Sequence, residues 1–134
     1  MEKSSVYSRI IQVKADHLDE LLHVNNVQYL HWMMESAEAH WQLRAPQVIR
    51  EEFIWVVRKH SIEYTGQAVE GDELLLKTCT GEASGACWWR HFTIEKANSR
   101  TQLINAATQF VLVNRMNGKP HPVRSNIISI FQDN

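Results

Sequence analysis

Four polar residues lie close together in this chain: Asp19, His23, Asn25 and Asn26. They fall in the stretch Asp16-His17-Leu18-Asp19-Glu20-Leu21-Leu22-His23-Val24-Asn25-Asn26, directly before the best helical pattern of the sequence. A carboxylate placed there is a candidate base or nucleophile, and an imidazole a candidate orienting group. The position matters as much as the residue types. Backbone N–H groups at a helix start have no partner within the helix and carry partial positive charge, so they hold oxyanions.

The element that positions these groups is the segment behind them. Val27, Leu30, Met34, Ala37 and Trp41 recur at steps of three and four, which predicts an amphipathic helix over Val27 to Leu43 with that stripe buried. Asn25 is a good N-cap, and Gln28 completes a capping-box-like pair. Pro46 ends the helix near Arg44-Ala45. Val6 to Val13 reads as a first strand, Gln47 to Glu52 as a polar connection and Phe53 to Tyr64 as a strand. On that strand Ile54, Val56, Ile62 and Tyr64 share one face, interrupted by Arg58 and His60. Gly66 to Asp72 is a turn region. Leu74 to Thr80, Ala86 to Lys96 and Leu103 to Asn114 are further strands, with Gly81 to Gly85 as a hairpin connection and Asn117-Gly118 as a turn. Consecutive strands predict an antiparallel meander against which one long helix buries its stripe, an α+β sandwich of a single domain, residues 1–134.

The helix start carries a resemblance. His23-Val24-Asn25-Asn26-Val27-Gln28-Tyr29-Leu30, then Trp32 and Glu35-Ser36-Ala37, resembles the hotdog-fold acyl thioesterases. Their pattern is Asp-x-Asp-x-x-Gly-His-Val-Asn-Asn-x-x-Tyr-Leu. The likeness takes in the plant acyl-carrier-protein thioesterases and the 4-hydroxybenzoyl-CoA thioesterase-like family. Arg58 to Tyr64 with Gly71 to Leu74, and Phe110 to Asn114 with Asn117 to Pro120, resemble that family's strands and turns. The resemblance implies a hotdog domain, an antiparallel sheet wrapped around one long central helix. It implies hydrolysis of an acyl-CoA or acyl-ACP, no cofactor, and a homodimer or homotetramer with pockets between subunits. The sequence departs from the pattern in three places. His17 stands where the family has its first aspartate, Leu22 where it has glycine, and Leu21 where the plant enzymes have a catalytic asparagine.

Composition narrows the alternatives. The chain has 134 residues, 44% of them hydrophobic, enough for one domain with a real core. A formal net charge of −1 leaves no basic surplus for nucleic acid. No apolar run is long enough to span a bilayer and no signal segment opens the chain, so the expectation is a cytoplasmic protein without a membrane partner. Two cysteines make no disulfide framework, although Cys79 and Cys87 flank the predicted hairpin and can face each other across it. His17, Asp19 and His23 match no metal-ligand spacing, so no metal is expected.

Each candidate has two readings. Asp19 is a solvated loop carboxylate or the catalytic one. His23 bonds the loop backbone, or orients Asp19 or a water. Asn25 is a cap that also borders substrate, and Asn26 contributes its backbone N–H to an oxyanion. Tyr29, Trp32 and Met33 line an acyl pocket or pack in the core, with Trp32 placed off the buried stripe. Glu35 is a surface charge or a paired buried one. Arg58, His60 and Arg90 interrupt apolar strand faces, where a charge needs a partner or an opening to water. They pair across an interface, or Arg58 and Arg90 bind a coenzyme A phosphate. Lys119 and Arg124 read as surface bases. The function expected is hydrolysis of an acyl thioester to free acid and thiol. The alternative is a non-catalytic module that binds an acyl thioester or a partner protein.

Overall fold

Asn25 opens the long helix as its side chain allows. In this computed structural model, which describes residues 3–133, its Oδ1 accepts the Val27 N–H at 2.8 Å and α1 runs over Asn26–Arg44. The asparagine caps alone; no Gln28 side-chain bond completes a box among the described residues. Ala45 closes the helix by donating its N–H to the Trp41 carbonyl at 2.8 Å. The expected polar connection after it is a short helix instead, α2 (Gln47–Glu52). Pro46 has no N–H to lose at a helix entry, and its carbonyl accepts from Ile49 and Arg50.

After β1 (Lys3–Ser4) come the long strands β2 (Tyr7–Gln12), β3 (Phe53–Tyr64), β4 (Glu73–Ser84), β5 (Cys87–Lys96) and β6 (Gln102–Asn114). The C-terminal piece, which the sequence left open, is α3 (Ser125–Ile128), a 3₁₀ turn over Ser129–Phe131 and β7 (Gln132–Asp133), paired back onto β1. The five long strands form one antiparallel sheet in the order β2-β4-β5-β6-β3. Only β4, β5 and β6 make the expected meander. β3 sits at an edge beside β6, and residues 65–72 cross the end of the sheet to reach β4. Gly66 belongs to that crossing for a steric reason: a Cβ there would lie 2.9 Å from Leu103 Cδ2.

Two strand expectations are corrected. β4 runs through Gly81 to Ser84, with a register shift between Thr80 and Ala83, so the hairpin turn is only residues 85–86. Cys79 therefore pairs with His91 and Cys87 with Ser84, and the two thiols are free. On β3 a bulge at Arg58 exchanges the faces. Trp55 and Val57 lie opposite Leu112 and Phe110, whereas His60, Ile62 and Tyr64 lie opposite Thr108, Ala106 and Ile104. Ile54 and Val56 are thus on the other face from Ile62 and Tyr64, not on the same one. An extra residue on one strand shifts a period-2 pattern by one position, and the sequence alone does not mark it.

The buried stripe of α1 is also rotated from the expected one. Tyr29, Trp32, Met33, Ser36, Ala37, His40 and Trp41 are buried; Leu30 and Met34 are half-buried flanks, and Val27 is exposed. Ser36 and His40 lower the hydropathy of the true inner face, which is why the pattern of apolar residues alone points to its neighbour. Under the first half of α1 lies a core of Ile11, Met33, Leu76, Phe92, Ile94 and Ile104, among others. Under its end lies a second core of Trp41, Phe53, Trp88, Leu112, Ile127 and Phe131. Polar side chains separate the two. Thr80, Arg90, Thr108 and His60 stand side by side in register across the inner face.

Candidate active site

The loop before α1 is a short closed structure. A bridge between Leu18 and Val24 closes it, and Asp19 N–H donates to the His23 carbonyl at 2.8 Å. Inside, Asp19 Oδ1 accepts from Leu21 N–H at 2.9 Å and His23 N–H at 3.2 Å. Short polar side chains favour such local turns because they replace a backbone acceptor. Leu22 completes the turn at φ +62°, the left-handed region that an L side chain enters at a cost. Val24 N–H donates to the Ala68 carbonyl at 2.9 Å, which fastens the loop to the crossing segment.

His17 is structural. Its Nδ1 accepts the Lys14 N–H at 2.9 Å, and its ring meets Trp32 edge to face at 5.0 Å. Asp16 is exposed, with its carboxylate 3.9 Å from the His17 ring.

The structure gathers Asp19, His23, Asn25, Asn26 and Tyr29 around one open cleft of about 330 Å³, whose far wall is Gly66 and Gln67. Asn25 Oδ1 is engaged by the cap. The Asn26 N–H heads the helix with no protein acceptor among the described residues. The link between Asp19 and His23 is the backbone N–H of the histidine; no ring-to-carboxylate bond forms among the described residues. Tyr29 Oη is buried without a hydrogen-bond partner among the described residues, and burial pushes its pKa up to about 12, so it stays neutral. Tyr64 Oη reaches the Asn26 carbonyl at 3.5 Å.

Other candidates lie elsewhere. Trp32 is buried against Tyr29 and His17, so the expectation that it lies off the buried face is overturned. Met33 is wholly buried. Glu35 is exposed, 3.9 Å from Arg9. Arg58 sits at the β3 bulge with Nη1 3.5 Å from Gln109 Oε1, and lines no part of the cleft. Lys119 and Arg124 are exposed.

Arg90 is 6% exposed and donates from Nη1 to His40 Nδ1 at 2.9 Å and Thr78 Oγ1 at 3.2 Å. Burial lowers its pKa to about 10, still a cation at neutral pH. Burial first, and then the Arg90 charge, lower the His40 pKa to about 4. Ser5 Oγ lies 2.9 Å from His40 Nε2. His60 bonds Thr108 Oγ1 through Nδ1 at 2.8 Å, and burial lowers its pKa.

Sequence reading did not single out His40 or Thr108, and it took Ser36 only as part of the motif that carries the resemblance. The one available signal was that Ser36 and His40 are spaced to share a helix face with Met33 and Ala37. No group of three or more His, Cys, Asp or Glu side chains among the described residues is placed to hold a metal ion. No helix among them is long and apolar enough to cross a membrane.

The sequence matches the profile of the acyl-ACP thioesterase N-terminal domain over residues 4–131. The chain belongs to that family. A chloroplastic acyl-(acyl-carrier-protein) hydrolase of Cuphea viscosissima is 29% identical over 94 residues, 67% of this chain. The match takes in only 23% of that relative's own length. Among solved structures, a 1,4-dihydroxy-2-naphthoyl-CoA thioesterase from Synechocystis superposes with a TM-score of 0.81 at 21% identity, covering 95% of this chain and 96% of its own. A 12:0-ACP thioesterase from Umbellularia californica gives a TM-score of 0.81 at 15% identity, covering 96% of this chain and 51% of its own. The hotdog thioesterase resemblance and the α+β fold read from the sequence of this family member are both borne out.

Proposed function

We propose that this thioesterase-family chain hydrolyses an acyl thioester, carried by coenzyme A or by an acyl-carrier protein, in the cleft at the start of α1. The observation that carries the reading is the meeting in that cleft of a free Asn26 N–H and the Asp19 carboxylate. The thioester oxygen accepts from Asn26 N–H, where the helix dipole favours the charge that develops on it. Oδ1 of Asp19 is held by the loop, which leaves Oδ2 to act as base toward a water or as nucleophile. Water oxygen ends on the acyl carbon, the C–S bond breaks, and the thiolate leaves and takes up a proton. His23 and Asn25 border the substrate at this point.

The working unit in this reading is at least a homodimer. β3 is an edge strand of twelve residues that bears exposed Ile54, Val56 and Val57, and an unpaired edge of that kind favours pairing with a copy. Pairing β3 with itself about an axis between Arg58 and Lys59 sets the Tyr64 end, which touches Asn26, beside the Phe53 end of the partner. Light scattering that finds a fully active monomer contradicts this. The free, half-buried thiols of Cys79 and Cys87 suit a reducing compartment such as the cytoplasm.

A second reading has its own observation. Leu21 and Leu22 are 74% and 68% exposed beside the cleft, where the plant enzymes have an asparagine and the wider family a glycine. They suit a module that binds acyl thioesters without cleaving them. Incubation with a panel of acyl-CoAs and a thiol-trapping dye separates the two. Thiol release supports the hydrolase; binding without release supports the module.

A further inference from the structure

Arg90 is used by nothing in the cleft. It stands on the inner face of β5, with its guanidinium carbon 5.1 Å from the centre of the Phe131 ring. Both of its hydrogen-bond acceptors, His40 Nδ1 and Thr78 Oγ1, belong to neutral side chains, and both bonds come from Nη1. Nη2 and Nε donate to no protein group among the described residues, and no carboxylate lies within 4.0 Å of the guanidinium among them. A buried cation without a counter-ion is strongly unfavourable, and a guanidinium with a free edge fits a carboxylate in two parallel hydrogen bonds.

There is space for such a ligand. Arg90 and Thr80 are polar groups in the lining of a cavity of about 80 Å³, whose walls include Met34, Trp41, Trp55, Trp88, Phe110 and Phe131. Glu38 is the acidic residue in this lining; it is exposed, and its Oε1 accepts from Gln42 at 2.9 Å. Ala37 also borders the cavity, eleven residues along α1 from Asn26, which is about 16 Å of helix axis. Apolar walls with one charged donor among them hold a chain and read its end.

We propose that Arg90 determines specificity at the far end of the acyl group, and that the substrate class is an acyl thioester whose distal end carries a carboxylate. This rests on the hydrolase reading of the cleft. The carboxylate supplies the counter-charge that the fold withholds from Arg90, and the aromatic walls cover the methylenes or ring before it.

The test uses the whole chain and its Arg90→Met variant, with coenzyme A thioesters in matched pairs of equal carbon number, one ending in methyl and one in carboxyl, over a series of lengths. Thiol release should favour the carboxyl-ended member at the lengths that reach Arg90. Arg90→Met should lower the ratio of kcat/KM for the carboxyl-ended member to that for the methyl-ended member by roughly 10–100-fold. No carboxyl preference at any length, or a preference that survives Arg90→Met, overturns the proposal. A second measurement needs neither turnover nor a folded variant. Tryptophan fluorescence of the wild-type chain should respond saturably to a medium-chain α,ω-dicarboxylate and not to the diol of equal length; equal responses overturn the proposal. Diacid binding without thioester cleavage sinks the hydrolase reading and keeps the site. Cleavage without carboxyl preference or diacid binding sinks the site and keeps the hydrolase.

Discussion

At the start of α1, Asp19 engages one carboxylate oxygen with two backbone N–H groups and leaves the other uncommitted among the described residues. Beneath the middle of the same helix, His40 and Arg90 bond each other, Ser5 and Thr78, away from water. The first region is an exposed loop whose polar atoms hold a backbone shape and border a cleft. The second is a buried seam whose polar atoms bond one another between two apolar cores and leave one edge of the Arg90 guanidinium free among the described residues. The difference teaches where to look for each kind of effect. Changes in the loop should alter chemistry more than stability, and changes in the seam should alter stability and its response to pH.

The largest expected effect is on rate. Asp19→Asn keeps an oxygen to accept from Leu21 and His23 N–H, so the loop should fold as before. It removes the charge that acts as base or nucleophile, and thiol release should fall by roughly 10²–10⁴. Thermal unfolding of the variant should stay close to wild type. A variant with near wild-type kcat/KM removes Asp19 from the mechanism. A variant that unfolds easily places Asp19 with the seam, as a structural group.

Next is the pH response of the seam. His40 has a pKa of about 4 when folded, against 6.5 when free. Between those values the unfolded chain binds more protons than the folded one, so this group's contribution to stability is complete above pH 6.5 and falls as the pH drops toward 4. From pH 7.5 to pH 5 the expected loss is about 2 kcal/mol. Denaturant titrations at both pH values should show that loss in wild type and a smaller one in His40→Gln. Equal losses would mean that His40 is not the buried neutral group the structure shows.

The two regions also differ in how far the sequence disclosed them. His23-Val24-Asn25-Asn26 is contiguous, and a cap followed by a helix is local physics, so the cleft residues were legible together. The seam is assembled by strand register. Thr80, Arg90, Thr108 and His60 come from four strands, and only pairing aligns them. The Arg58 bulge hid the true face of β3, and Ser36 and His40 hid the true face of α1. The fold class needed neither detail, because a sheet and one long helix have few ways to bury their apolar surfaces. The departure at Leu22 was visible, but its backbone conformation was not.

That residue gives the smallest and most local prediction. Leu22 holds φ at +62°, where its Cβ crowds the following carbonyl at a cost of roughly 1–2 kcal/mol. Its side chain is 68% exposed, so trimming it forfeits little burial. Glycine would remove the crowding but gain freedom when unfolded, which costs roughly 0.5–1 kcal/mol. The net effect of Leu22→Gly should therefore lie between about zero and 1.5 kcal/mol of stabilisation. Leu21 is the built-in control. It is 74% exposed and sits next door, but is not among the residues of positive φ. Leu21→Gly meets only the entropic cost and should destabilise by roughly 0.5–1 kcal/mol. Unfolding free energies from urea titrations of the two variants should differ by about 1 kcal/mol or more, with Leu22→Gly the more stable. Identical values would show that the loop carries no strain at Leu22, and that its shape is held by the Asp19 hydrogen bonds alone.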